Sequence, residues 1–411
     1  MEKVRLGVIG LGNRGKTMLE KSLVKIEDVE ISAICDLYED RIKSVEDFMI
    51  KECGYAPFSS TDYKEILNKD IVDAIYIASD WETHFEISIA ALRAGVIVGS
   101  EVGGAYNLNE CYELVRAYEE TGTPYMFMEN CCFGKYELLA TAAARKGLFG
   151  TIVHCSGAYA HDLREEVTGG NINRHYRMRN YLNRNCENYP THDLGPIARL
   201  LNVTRGNRLL SLVSVASKAC GAEEYVKDMR LYEKDPTLKD ARFKQGDIVS
   251  TVITCSGGET ILLRLDTTLP RHYNRELTVR GTKGLYEMGT NLFYIERTHE
   301  EKYGVKYYLD QINNGTTYYD EFMPDFWLNL TEDQKKTGHG GMDGLMFRVF
   351  IDAIKNGTPM PIDVYDGVTW MSITCLSEAS IAQGGAPQEI PDFTNGKWLI
   401  RKPFDVIDLN K

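Results

Sequence analysis

The run Arg5-Leu-Gly-Val-Ile-Gly-Leu-Gly-Asn-Arg-Gly15 leaves few folds open to this chain. Residues 4–9 form a short β-branched apolar run, the composition of a parallel strand buried on both faces. It leads into Gly10-Leu-Gly12-Asn-Arg-Gly15, spaced G-x-G-x-x-G, and a helical run follows over 16–24. Gly10 suits a tight turn, Gly12 the close approach of backbone to a pyrophosphate, and Gly15 the packing of helix on strand. The amide N–H groups and the dipole at the helix start favour a bound phosphate. A second strand, 29–36, ends in Asp36, about twenty residues beyond the last glycine, where a carboxylate would accept hydrogen bonds from an adenosine ribose. The same charge would repel a 2′-phosphate, so the spacing points to NAD over NADP. The plain alternative is a strand–turn–helix with Asp36 as a cap.

With 411 residues there is enough chain for two domains with their own cores. A net charge of −12 and the lack of any Lys/Arg-rich run argue against a nucleic-acid partner. The ten cysteines show no C-x-x-C pair, and Cys35, Cys155 and Cys255 stand inside apolar strand-like runs. They read as reduced core residues in a reducing cytoplasm, with no metal site. No stretch of roughly eighteen apolar residues is present, so no membrane span is predicted. The N-terminus passes from Met-Glu-Lys straight into the first strand, which reads as no signal peptide unless an export signal has been trimmed.

Residues 1–130 alternate strand and helix as a doubly wound parallel sheet does: strands at 72–79, 96–100 and 125–128, helices at 39–53, 83–94 and 109–120, and a short helix at 62–67. Ligands of such sheets gather beyond the carboxyl ends of the strands. Asp36, Asp80-Trp81-Glu82-Thr83-His84, Glu101-Val102 and Asn130 stand at those ends. From 131 to 411 the rhythm changes. After a helix at 135–146, runs at 152–159, 209–217, 248–255, 260–267, 276–280 and 292–296 alternate like an open, mostly antiparallel sheet. Helices at 344–356 and 367–382 make this an α+β domain. The Arg-, Asn- and Tyr-rich stretch 162–186 reads as a long functional or disordered loop.

Reactive groups concentrate in the second part. Tyr159-Ala-His161-Asp-Leu-Arg164 ends its first strand, Tyr189-Pro-Thr-His192-Asp193 opens a helix with Thr191 as a candidate cap, and Arg271-His-Tyr273-Asn-Arg275 follows another strand. Gly338-His-Gly-Gly-Met-Asp343 reads most simply as a hinge. Each has an ordinary explanation: Tyr159 as core filler, His192 as a structural histidine at a helix start, Arg177 and Arg179 as solvated charges, Asp193 as a helix-start charge.

Motifs along nearly the whole chain lift these residues above such explanations: Glu101-Val-Gly-Gly-Ala105, Gly157-Ala-Tyr-Ala-His161-Asp-Leu163, Tyr189-Pro-Thr-His192-Asp-Leu-Gly-Pro196, Gly281-Thr-Lys-Gly284, Gly338-His-Gly-Gly-Met-Asp343 and Val364-Tyr-Asp-Gly367. In these the chain resembles glycoside hydrolase family 109, the NAD-dependent α-N-acetylgalactosaminidases within the glucose–fructose oxidoreductase/inositol dehydrogenase/MocA superfamily. The superfamily's Glu-Lys-Pro triplet, whose Lys often serves as acid/base, is replaced here by Glu101-Val102-Gly103. The resemblance thus favours the hydrolase-like branch over a plain sugar dehydrogenase.

Carried over by position, the resemblance implies NAD contacts at Asn13, Arg14, Asp36, Trp81, Thr83, His84, Glu101, Val102, Asn130 and Tyr189, beside Gly10, Gly12 and Gly15. It implies sugar contacts at Tyr159, Arg177, Tyr189, Pro190, Thr191, His192 and Tyr273. Relatives often carry Met where this chain has Asn13 and Gly where it has Asp193, and the second change bears on sugar specificity. The implied chemistry moves a hydride from sugar carbon 3 to NAD+, which acidifies the proton on carbon 2 so that a His or Tyr can remove it. The aglycone then leaves carbon 1, water adds, and the hydride returns to the sugar. NAD is tightly held and regenerated each turnover, and no flanking carboxylate pair is needed. His192 and Tyr159 are expected as acid/base groups, with Arg177 and Tyr273 as positioners. The alternatives are a net sugar or cyclitol dehydrogenase or epimerase, and a non-catalytic NAD or sugar sensor. A homodimer or homotetramer is expected.

Overall fold

The computed structural model describes residues 3–298 and 311–409. The chain divides into two compact units. One is Met1–Phe133 with Asn329–Val368 and Asp405–Ile407; the other is Gly134–Leu328 with Thr369–Phe404 and Asp408–Lys411.

The first unit holds a six-stranded sheet of β1 (Val4–Ile9), β2 (Val29–Cys35), β3 (Phe58–Ser60), β4 (Ala74–Ile77), β5 (Ile97–Ser100) and β6 (Tyr125–Phe127). All pairs are parallel and the order is β3-β2-β1-β4-β5-β6, so the direction of winding reverses between β1 and β4. Leu6, Val8 and all four residues of β4 are buried, as strands covered on both faces require. The predicted 39–53 helix forms over Glu39–Cys53. Its first turn is acidic, it buries Ile42, Val45 and Met49 at helical spacing, and it stops on Gly54 at φ +81°. The returning helix Met342–Asn356 completes this unit. Its Phe347 sets an edge against Tyr76, with centroids 5.0 Å apart, and Phe350 lies where a side chain on Gly99 would stand.

The second unit is built on an eight-stranded mixed sheet. Its strands are β7 (Ile152–Ala160), β8 (Leu209–Ala216), β9 (Ile248–Cys255), β10 (Thr260–Asp266), β11 (Thr278–Gly281), β12 (Gly284–Glu287), β13 (Leu292–Ile295) and β14 (Gln388–Glu389). The order is β13-β12-β11-β7-β10-β9-β8-β14, antiparallel except for the β7–β10 pair. Along β9, Val249, Thr251, Ile253 and Cys255 face the core while Ser250, Val252 and Thr254 face out. The stretch expected to be a long loop at 162–186 instead carries three short helices, Arg164–Thr168, Gly170–Asn173 and Arg177–Asn183. Each spans only one or two turns, too few for apolar periodicity to appear in the sequence. Among the described residues no helix is long and apolar enough to cross a membrane.

Candidate active site

In the first unit the glycine turn closes as its spacing predicts. Gly10 sits at φ +90°, and a Cβ there would lie 2.4 Å from the Ser79 amide nitrogen. One on Gly15 would lie 1.8 Å from the Gly10 carbonyl oxygen. Gly12 differs: the space beside it is open, with nothing nearer than Arg41 Nη1 at 3.5 Å, and no side chain caps the helix Asn13–Lys21 that it precedes. An open glycine at an uncapped helix start fits a dinucleotide diphosphate. Asp36 is buried at the end of β2. Its Oδ2 accepts from the Leu11 amide at 2.7 Å and its Oδ1 from the Tyr38 amide at 3.0 Å. Oδ1 keeps a further lone pair for a ribose hydroxyl, while Oδ2 also accepts from Arg41 Nη1 at 3.5 Å. Arg41 thereby offsets part of the Asp36 charge.

Trp81 and His84 are buried beyond β4. His84 Nε2 donates to the Ser79 carbonyl at 3.2 Å, and burial lowers its proton affinity, leaving a neutral ring. Thr83 Oγ1 bonds to Asp80 and Ser79, and Val102 is buried behind Glu101. Arg14, Glu101 and Asn130, three of the expected cofactor residues, meet in one buried network. Arg14 Nε donates to Glu101 Oε1 at 2.8 Å, while its Nη1 and Nη2 reach Asp343 Oδ2 and Oδ1 at 3.1 and 2.9 Å. Tyr76 donates to Glu101 at 2.7 Å and Asn130 Nδ2 to Asp343 at 2.8 Å.

The stretch read as a hinge, Gly338 to Asp343, contributes Asp343 to this network. His339 Nδ1 lies 2.7 Å from Asp343 Oδ2, and a Cβ on Gly338, at φ +102°, would stand 2.3 Å from that same oxygen. Burial opposes the Asp343 charge, but Arg14 and His339 overcome this and hold the carboxyl well below its usual range. Sequence reasoning missed Asp343 because Arg14 and Asn130, which bind it, lie more than two hundred residues away.

In the second unit β7 delivers Tyr159, and the helix Thr191–Leu200 delivers His192. Gly157, on the same face of β7 as Tyr159, lets this helix close on the strand. A Cβ there would sit 2.9 Å from Asp193 Cβ and 3.2 Å from Ile197 Cδ1. The Tyr159 ring stacks on Tyr189 with centroids 4.4 Å apart and meets His192 edge-on at 5.3 Å and Tyr273 at 6.4 Å. Arg177, buried, places its guanidinium 4.8 Å from the Tyr189 ring centre and pairs with Glu166 at 2.5 Å. Tyr273, 43% exposed, accepts at its hydroxyl from Arg275 Nη1 at 3.1 Å. All four residues expected to be catalytic therefore share one aromatic-walled cluster with Tyr189.

Pro190 takes the N-cap position and Thr191 begins the helix, buried, without a side-chain cap; the expected Thr191 cap does not form. His161 belongs to the cluster too, its Nδ1 3.1 Å from the Tyr159 hydroxyl and its ring 5.1 Å from Tyr273. Burial, with Arg177 and His192 near, lowers its proton affinity. Its place two residues after Tyr159, on one face of an extended chain, was the available signal. Asp193 is buried with its Cβ against Gly157, and its charge reaches Glu187. Burial first, and Asp193 second, push the Glu187 carboxyl well above its usual range.

Both parts of the chain match known families. Residues 4–128 match the oxidoreductase family with an NAD-binding Rossmann fold, and residues 133–400 match the C-terminal domain of glycosyl hydrolase 109. A glycosyl hydrolase family 109 protein of Stenotrophomonas maltophilia (strain K279a) is 38% identical, with 99% of this chain and 92% of that protein aligned. An alpha-N-acetylgalactosaminidase of Tannerella forsythia is 36% identical over 97% of this chain and 88% of that protein. In fold, the chain resembles an inositol dehydrogenase homolog from Azotobacter vinelandii solved with NAD+: TM-score 0.67, 18% identity, covering 94% of this chain and 97% of that one. With an NAD-binding Rossmann unit joined to this C-terminal domain, and relatives above 35% identity along almost its full length, the chain belongs to glycoside hydrolase family 109.

Proposed function

We propose that this enzyme cleaves α-N-acetylgalactosaminides or related hexosides by oxidation at sugar carbon 3, elimination of the aglycone, addition of water and re-reduction. The observation that carries this reading is the single cluster of Tyr159, His192, Tyr273 and Arg177 around Tyr189. The Tannerella forsythia relative's name supports the substrate class. NAD, when bound, supplies the acceptor and donor of the hydride, and on this reading it stays tightly held through each turnover. Gly12, the start of the helix Asn13–Lys21 and Asp36 would hold it.

Tyr159 and His192 remove the carbon 2 proton and return one to the departing oxygen, the Tyr159 hydroxyl being held by His161. Arg177 and Tyr273 orient the sugar, and the Tyr189 ring offers it an apolar face. The nearby carboxylates support the assignment to Tyr and His, because Asp162 is paired with Arg164 and Glu166 with Arg177. We further propose that two copies pair through the outer face of the second sheet, where Val215, Val252 and Leu262 are exposed on one side. The decisive experiment is hydrolysis of an aryl α-N-acetylgalactosaminide in D2O. Deuterium at carbon 2 of the released sugar without net NADH is expected. Turnover without deuterium, or steady NADH accumulation from free sugar, would overturn the mechanism.

A further inference from the structure

The network around Arg14 carries an imbalance of charge. Two carboxylates, Glu101 and Asp343, surround one guanidinium while Tyr76 and Asn130 contribute neutral donors, so these groups sum to −1. The Asp343 side chain is fully buried and that of Glu101 nearly so, so solvent screens this charge poorly.

The sheet order places the cluster. Winding reverses between β1 and β4, and a dinucleotide lies across that point with its adenosine ribose at the end of β2, where Asp36 stands. The nicotinamide half then belongs to the β4–β5–β6 side. Glu101 directly follows β5, and Asn130, bonded to Asp343, stands just beyond β6.

The nicotinamide ring is cationic when oxidised and neutral when reduced, so a fixed negative charge on that side acts on one form only. We infer that the Glu101–Arg14–Asp343 cluster makes this enzyme hold NAD+ more tightly than NADH, keeping the oxidised cofactor as its resting form. The inference rests on the cofactor reading above and adds a reason why hydride returns to the sugar: the site disfavours the reduced form. Arg14 acts here as a positioning residue. Its guanidinium is committed to two carboxylates, which leaves the phosphates to backbone amides.

The test is the ratio of the NADH to the NAD+ dissociation constant, measured on cofactor-stripped full-length protein at pH 8 by equilibrium dialysis, with thermal melting to confirm folding. The wild type is expected to favour NAD+. Asp343→Asn and Glu101→Gln each remove one negative charge and should lower the ratio roughly tenfold, the scale of one unit charge acting across a partly buried site. That corresponds to about 30 mV in the midpoint potential of the bound two-electron couple. Arg14→Gln removes the cation and should move the ratio the opposite way.

A merely structural role would weaken both nucleotides together and leave the ratio unmoved. That result, or a wild type that favours NADH, would overturn the inference while leaving the cofactor assignment intact. If neither nucleotide binds the wild type, the cofactor reading itself fails, and this one with it. Should Arg14→Gln not fold, the two carboxylate variants still decide the question.

Discussion

Replacing Gly157 by alanine tests how the candidate site is held together. The new Cβ would stand 2.9 Å from Asp193 Cβ and 3.2 Å from Ile197 Cδ1. Optimal carbon contacts fall at about 3.5–4.0 Å, so strand and helix must separate by roughly 0.6–1 Å. Ile197 can turn its terminal methyl aside, but Asp193 Cβ moves only with the helix Thr191–Leu200, which also carries His192. Overpacking of this kind costs about 1–3 kcal/mol of stability. A displacement near 1 Å between Tyr159 and His192 is expected to lower kcat/KM roughly 100-fold.

A second substitution separates this cause from others. Asp193→Gly deletes the atom that clashes and should restore most of the activity of Gly157→Ala, whereas Asp193→Ala keeps a Cβ and should not. Urea unfolding gives the stability arm, and initial rates on an aryl α-N-acetylgalactosaminide give the activity arm. Loss of less than threefold on Gly157→Ala, or equal rescue by Asp193→Ala and Asp193→Gly, would refute the argument.

Three further outcomes follow from the same coordinates. Tyr159→Phe keeps the stacking on Tyr189 but removes the hydroxyl held by His161, so kcat should fall by about 100-fold or more with little change in melting temperature, read by initial rates and calorimetry. Glu187→Gln should stabilise the protein in alkali: the folded state raises this carboxyl's proton affinity, so its favourable contribution is complete below the unfolded value and disappears as pH rises through the folded one. Urea midpoints at pH 5 and 8 should therefore converge in the variant, with a gain of about 1 kcal/mol or more at pH 8. Val252→Lys sets a charge on the outer face of β9 and should shift light-scattering mass toward a monomer while leaving the melting temperature within a few degrees. An unchanged mass would remove that face as the pairing surface.

Legibility in the sequence followed the range of the interactions. The glycine turn and Glu39–Cys53 were readable because turn chemistry, acidic first turns and apolar spacing act within a few residues. The motif Tyr189-Pro-Thr-His192 and the alternation of Tyr159 with His161 marked the second cluster, yet nothing local said that Tyr273 and Arg177 join it. Asp193 illustrates the limit. Its position in the sequence suggested a plain helix-start charge, and the fold buries it against Gly157 with Glu187 within electrostatic reach.

By itself the amino-acid order settled the two architectures and the cofactor class, because strand and helix periodicity and short glycine motifs encode them locally, while the candidate members of the second cluster came from the resemblance to family motifs. Only the folded chain decided that β7 runs parallel to β10, that the last third returns a helix to the first sheet, and that Asp343 claims Arg14. Those choices depend on which distant surfaces exclude water together and which buried charges find partners. Such energies arise between segments hundreds of residues apart, where no short window of sequence can carry them.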